Sequence, residues 1–96
     1  MTYRTTEAAD RDIAGIYADG VEAFGERQAE RYHDGLFDVF DILAGNPRLA
    51  RERSEFAPPV RIHPYGSHLV VYTLDDGGVL IVRVLHGRSE WERWLD

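Results

Sequence analysis

Val79-Leu80-Ile81-Val82-Arg83-Val84-Leu85-His86-Gly87-Arg88-Ser89-Glu90-Trp91 is the stretch from which the fold is read. Val79 to His86 has the composition of a strand with apolar residues on both faces. Strict alternation places Val79, Ile81, Arg83 and Leu85 on one face, and Leu80, Val82, Val84 and His86 on the other. Both faces of such a strand call for cover. The preceding stretches read Val60–Tyr65 and His68–Leu74 as two further strands, with Gly66-Ser67 turning between them. Asp76-Gly77 or Gly77-Gly78 supplies a tight hairpin into the last strand. The result is a three-strand antiparallel meander.

Upstream, the period changes from two to 3.6. Thr6 reads as an N-cap, with Glu7 and Asp10 in the first turn. Ile13, Ile16, Tyr17, Val21 and Phe24 form one stripe, and Gly25 ends that helix. A second helix runs from about Glu26 to Ala44, striped by Ala29, Tyr32, Leu36, Val39, Phe40 and Leu43. Gly45-Asn46-Pro47 stops it. Two amphipathic helices joined by so short a turn make an antiparallel hairpin. Thr2–Thr5 reads as a short edge strand, Arg48–Pro59 as a polar connection, and Ser89–Leu95 as a helical turn capped by Ser89. The fold class is therefore α+β. A two-helix hairpin packs on one face of a small antiparallel sheet, in the order β-α-α-β-β-β, with a short C-terminal helical tail. Two helices cannot cover both faces of four strands. The second apolar face is expected to be an interaction surface, the alternative being cover by the chain's own tail and linker.

The chain has 96 residues and no cysteine, enough for one domain with one modest core and neither disulfides nor thiolate metal sites. The N-terminus is polar, and no apolar run approaches the ~20 residues of a membrane span. A cytoplasmic setting is the expectation. The net charge of −6 resides in the first half: residues 1–46 hold four arginines against ten acids, while the second half is neutral. An acidic helical half repels a phosphate backbone, which argues against nucleic acid as a direct partner. All eleven cations are arginine.

Arg83 on a strand face must be paired if it is buried, or else it grips a carboxylate or phosphate on a partner. His86 and Arg88 flank Gly87 at the strand end, where sites collect. Arg61, His63 and Tyr65 share one face, and Tyr72 lies on the next strand. Such a cluster could serve metal-free RNA cleavage, with a base, an acid and a cation. The favoured reading is a polar face hydrogen-bonded to the Arg48–Pro59 linker. His33, His63, His68 and His86 show no metal-ligand spacing, and no phosphate-binding glycine loop is present. Neither cofactor nor metal is expected. Phe37 falls outside the stripe of the second helix. Trp91 and Trp94 sit three apart in the tail, as contacts that fold it back or as interface anchors.

Several segments, taken in order, resemble one family. Phe24-Gly25-x-x-Gln28-Ala29-x-x-Tyr32 resembles the helical-hairpin turn of ParE toxins, and Leu43-Ala44-x-Asn46-Pro47 the end of their second helix. Arg61 with Gly66-Ser67-His68-x-x-x-Tyr72 resembles their first meander hairpin, and Ile81-Val82-Arg83-Val84-Leu85-His86-Gly87-Arg88 their last strand, with Trp91 in the tail beyond. The resemblance spans roughly residues 8–95 and points to the ParE branch of the RelE/ParE superfamily. The linker departs from it, having no glycine after Pro47 where many relatives have one.

That resemblance implies the toxin of a type II toxin–antitoxin module. It implies neutralisation by a ParD-like ribbon-helix-helix antitoxin, in a heterotetramer or larger assembly, and DNA gyrase as the target. RelE relatives instead cut mRNA on the ribosome. The alternatives for this chain are such a ribonuclease, with Arg61, Tyr72, Arg83 and His86 around the scissile phosphate, or an inactive toxin homologue acting only as antitoxin co-repressor. The residues expected to bind target or antitoxin are Arg61, His68, Tyr72, Arg83, His86, Arg88 and Trp91. Phe37, Leu80, Val82 and Val84 are expected to form an apolar surface for the antitoxin.

Overall fold

The structure is a computed structural model that describes residues 2–95. Strand β1 (Tyr3–Thr5) leads into helices α1 (Glu7–Phe24) and α2 (Glu26–Gly45). Strands β2 (Glu52–Arg53), β3 (Val60–Tyr65), β4 (His68–Asp75) and β5 (Gly78–His86) follow, and a 3-10 turn (Trp91–Trp94) closes the chain. The sheet has five strands in the order β1-β5-β4-β3-β2. No helix among the described residues is long and apolar enough to cross a membrane.

Local signals place both helices. The Thr6 hydroxyl accepts from the Ala9 amide at 3.0 Å and donates to the Val82 carbonyl at 2.7 Å, so one side chain caps α1 and ties it to β5. Gly25, at φ 88°, ends α1 and starts α2 within one residue, a conformation that favours glycine. Of the two alternatives for the last hairpin, positive φ falls on Gly78, at 104°.

Four features differ from the sequence expectation. First, β1 pairs parallel to β5, so the sheet is mixed rather than antiparallel. The hairpin brings the chain back to the sheet, and β5 then enters beside β1 in the same direction. Second, the polar connection contains a strand. Glu52 and Arg53 pair with Arg61 and Val60, and two charged residues give no alternation to betray them. Third, β5 does not alternate strictly. Val71 faces Arg83 and its neighbour Tyr72 faces Ile81, which leaves Val82 as the extra residue of a β-bulge. Val79, Ile81 and Val84 therefore all pack under the helices. Fourth, the tail turn is capped by no side chain, and the Ser89 hydroxyl donates instead to the His86 carbonyl at 2.6 Å.

Two apolar clusters lie on opposite faces of the sheet. The larger joins Leu36, Phe40 and Leu43 of α2 and Ile13 of α1 to Val70, Tyr72, Val79, Ile81 and Val84. Phe40 is fully buried, with edge contacts to Tyr3 at 5.3 Å and Phe37 at 5.1 Å. Side chains of this size each contribute about 1.5–3 kcal/mol on burial. The smaller cluster joins Val60, Val71 and Leu85 to Phe56 of the linker, with Trp91 and Leu95 of the tail packed against it. The chain's own linker and tail thus cover much of the face that was expected to await a partner. Ile62, Leu80 and Val82 remain half-exposed there.

Candidate functional site

At the linker end of the sheet, Tyr72 is fully buried. Its hydroxyl donates to the Pro47 carbonyl at 2.9 Å and accepts from the Ala50 amide at 3.2 Å. Burial raises its pKa above the ordinary tyrosine value. Arg61 stands opposite Tyr72 in the register and donates to the Ala50 carbonyl at 2.6 Å. Both residues therefore hold the loop after α2, and Tyr72 is sealed from any partner. That corrects the expectation of a binding role for Tyr72, and matches the favoured reading of a polar face tied to the linker.

At the opposite end, Tyr65, His68 and His86 form one row across β3, β4 and β5. Tyr32 of α2 comes down on this row. Its hydroxyl lies 2.7 Å from His68 Nδ1 and 3.1 Å from the Tyr65 carbonyl, and it accepts from the Ser67 amide at 3.1 Å. The Tyr65 hydroxyl returns a bond to the Tyr32 carbonyl at 2.9 Å. The His68 and His86 rings meet edge to face at 5.2 Å. Burial, and then the neighbouring His86, hold the His68 pKa below its ordinary value, with Asp19 opposing.

Beyond this row the strands end while the helices continue. The overhang leaves a groove of about 390 Å³ lined by Ile16, Tyr17 and Phe24 of α1, His33 of α2, and His68 and His86 of the sheet. Phe24 at its rim is 67% exposed, an unusual position for a phenylalanine.

The third region lies where β1 stops. β1 pairs with β5 only as far as Ile81, so beyond it β5 keeps β4 on one side and has no strand on the side where β1 ended. Asp12 of α1 occupies that edge. Its carboxylate accepts from Arg83 Nε at 2.7 Å, Arg83 Nη2 at 2.9 Å and the Val84 amide at 3.0 Å. Charge-assisted bonds in a fork of this kind are strong, and Asp12 raises the Arg83 pKa further. The Arg83 guanidinium also lies over the Trp94 ring at 5.2 Å. At the other end of the tail turn, Arg53 of β2 sits 5.5 Å from the Phe56 ring and 5.7 Å from the Trp91 ring. Arg88 is exposed, and its amide donates to His86 Nδ1 at 3.0 Å.

The matching family model is described as the ParE toxin of type II toxin–antitoxin system, parDE, and it covers residues 3–91. The chain belongs to the ParE toxin family. It is 31% identical over 83 residues to Toxin ParE3 of Caulobacter vibrioides, across 86% of this chain and 83% of that one. A chromosomal ParDE TA system from P. aeruginosa shares the fold, with a TM-score of 0.76 and 18% identity over 90% of this chain and 95% of that one.

Among the residues expected to serve this ParE toxin, the structure brings His68 and His86 together and leaves Arg88 exposed. Trp91 is half-buried against Phe56, at 6.0 Å between ring centroids. The expected apolar surface breaks into three. Val84 is buried in the helix–sheet core, because the bulge turns it under the helices. Phe37 packs on the same core from α2, between His33 and Phe40. Leu80 and Val82 stay on the second sheet face. Reading the sequence missed Asp12, Tyr32 and Arg53. Asp12 had a signal: it lies four residues before Ile16, so an acid sits beside the apolar stripe of α1.

Proposed function

We propose that this ParE toxin acts by binding rather than catalysis, with a ParD-like antitoxin as its neutralising partner and DNA gyrase as its target. The dispersal and engagement of Arg61, Tyr72, Arg83 and His86 carry this reading. A metal-free ribonuclease would gather these groups around one phosphate. Tyr72 and His68 are four residues apart on β4, which puts Arg61 and His86 about 13 Å apart along the sheet. Tyr72 has no free hydroxyl face, and Arg83 is held in a fork by Asp12.

The groove under the hairpin and the half-exposed Leu80 and Val82 are the surfaces offered to the antitoxin. The groove's apolar wall suits an amphipathic segment that orders on binding. Its dimeric class makes a 2:2 or larger complex the expected assembly, formed in the cytoplasm. Arg88, Arg93 and Trp94 are exposed on the tail and are the surface offered to the target.

Two assays run in parallel test the reading: supercoiling by gyrase, and translation with mapping of mRNA cuts. Inhibited supercoiling with intact mRNA is the expected result, with Arg88→Ala weakening inhibition and His86→Ala leaving mRNA intact. Cut mRNA that depends on His86, with gyrase untouched, would replace this reading with ribonuclease activity. Silence in both assays, with antitoxin still bound, would leave a co-repressor.

A further inference from the structure

The tail turn has no buried residue of its own, yet Trp94 is held in a defined place. The residue is 62% exposed, with the Arg83 guanidinium over its ring. An arginine beside open solvent has several rotamers available. Asp12 selects one, because its carboxylate takes Nε and Nη2 together and so fixes the guanidinium plane. The same carboxylate is itself pinned by the Val84 amide, a backbone group that cannot swing away. Asp12 and Arg83 are 71 residues apart and only 16% and 21% exposed, so α1 and β5 act here as one rigid mount.

We propose that Asp12 is a positioning residue for the tail surface. It sets the plane of Arg83, Arg83 sets the Trp94 ring, and Trp94 with Arg93 meets the target. The last link rests on the target-binding reading above. The first two do not.

Asp12→Asn keeps the shape and can still accept the Val84 amide. Its NH2 group, however, cannot accept from a guanidinium that only donates, so the fork is lost. Arg83→Lys keeps the charge and loses the plane, and it carries the test if Asp12→Asn does not fold. The chain has two tryptophans, so a Trp91→Phe background reports Trp94 alone. Acrylamide quenching of Trp94 is expected to rise in both variants. The concentration needed to inhibit gyrase is expected to rise about two- to fivefold, the range of an exposed cation–π contact. In a Trp94→Ala chain, adding Asp12→Asn is expected to have no further effect on inhibition. Unchanged quenching in both variants, or losses that simply add, would overturn the proposal. If the wild-type chain leaves gyrase untouched, the target reading falls by itself and the quenching data alone decide whether Asp12 positions Trp94.

Discussion

Replacing Tyr72 by phenylalanine separates a structural tyrosine from a functional one. The substitution keeps the fully buried ring and removes only the hydroxyl. Two partners are then stranded: the Pro47 carbonyl at 2.9 Å and the Ala50 amide at 3.2 Å. Each net hydrogen bond contributes about 0.5–1.5 kcal/mol, which brackets the loss at about 1–3 kcal/mol. Pro47 and Ala50 are half-exposed, so water can reach them in part, and the expectation is the lower half of that range, about 1–2 kcal/mol. For a domain of this size each kcal/mol moves the Tm by about 4–8 °C. Urea unfolding should show a lower midpoint with an unchanged slope, because the surface exposed on unfolding is the same. On the proposed function, binding of antitoxin and inhibition of gyrase should persist below the new Tm. A variant as stable as the wild type but devoid of toxicity would refute the assignment and return Tyr72 to the list of functional groups.

Three further substitutions probe other parts of the molecule. His68 has a folded pKa below its unfolded value of about 6.5, so the unfolded chain binds more protons between the two. Stability should fall as the pH drops from about 6.5 through the folded pKa and then level off, and urea midpoints of His68→Gln should show a shallower fall; parallel pH profiles would contradict it. At Gly66, with φ 54°, an added Cβ would lie 2.5 Å from the Tyr32 hydroxyl, which three polar contacts hold in place. Gly66→Ala should cost about 2–3 kcal/mol from the left-handed backbone and the overpacking together, and an unchanged urea midpoint would mean that Tyr32 moves aside freely. Trp91→Ala should cost about 2 kcal/mol, below the range for a fully buried tryptophan, and should increase binding of a hydrophobic dye as Phe56 and Leu85 lose cover; a dye signal equal to wild type would mean the tail is not the lid of that cluster.

The helices were legible because their signals are local. A cap at Thr6, a glycine at the turn and an apolar stripe every three to four residues all act within a few residues of one another. β2 was not legible, because Glu52 and Arg53 become a strand only through backbone bonds to β3. At the candidate site the tie of Arg61 and Tyr72 to the linker was within reach, since a polar face beside a polar connection has few other partners. Arg83 was readable only as an arginine that needed a carboxylate. Which of the seventeen acids supplied it was not readable, because contact between α1 and β5 depends on how the hairpin lies across the sheet.

By itself the sequence determined the order of elements apart from β2, the family, the acidic helical half and the apolar last strand, since each is a property of composition or of a short period or motif. Tertiary structure decided which side of that strand each residue faces. One bulged residue, Val82, shifts the pattern by one position and sends Val84 into the core. It also decided that linker and tail close the second face, and that Asp12 takes up the edge where β1 ends. Bulges, edge capping and the docking of a tail depend on neighbours far away in the chain, and alternation along one strand does not encode them.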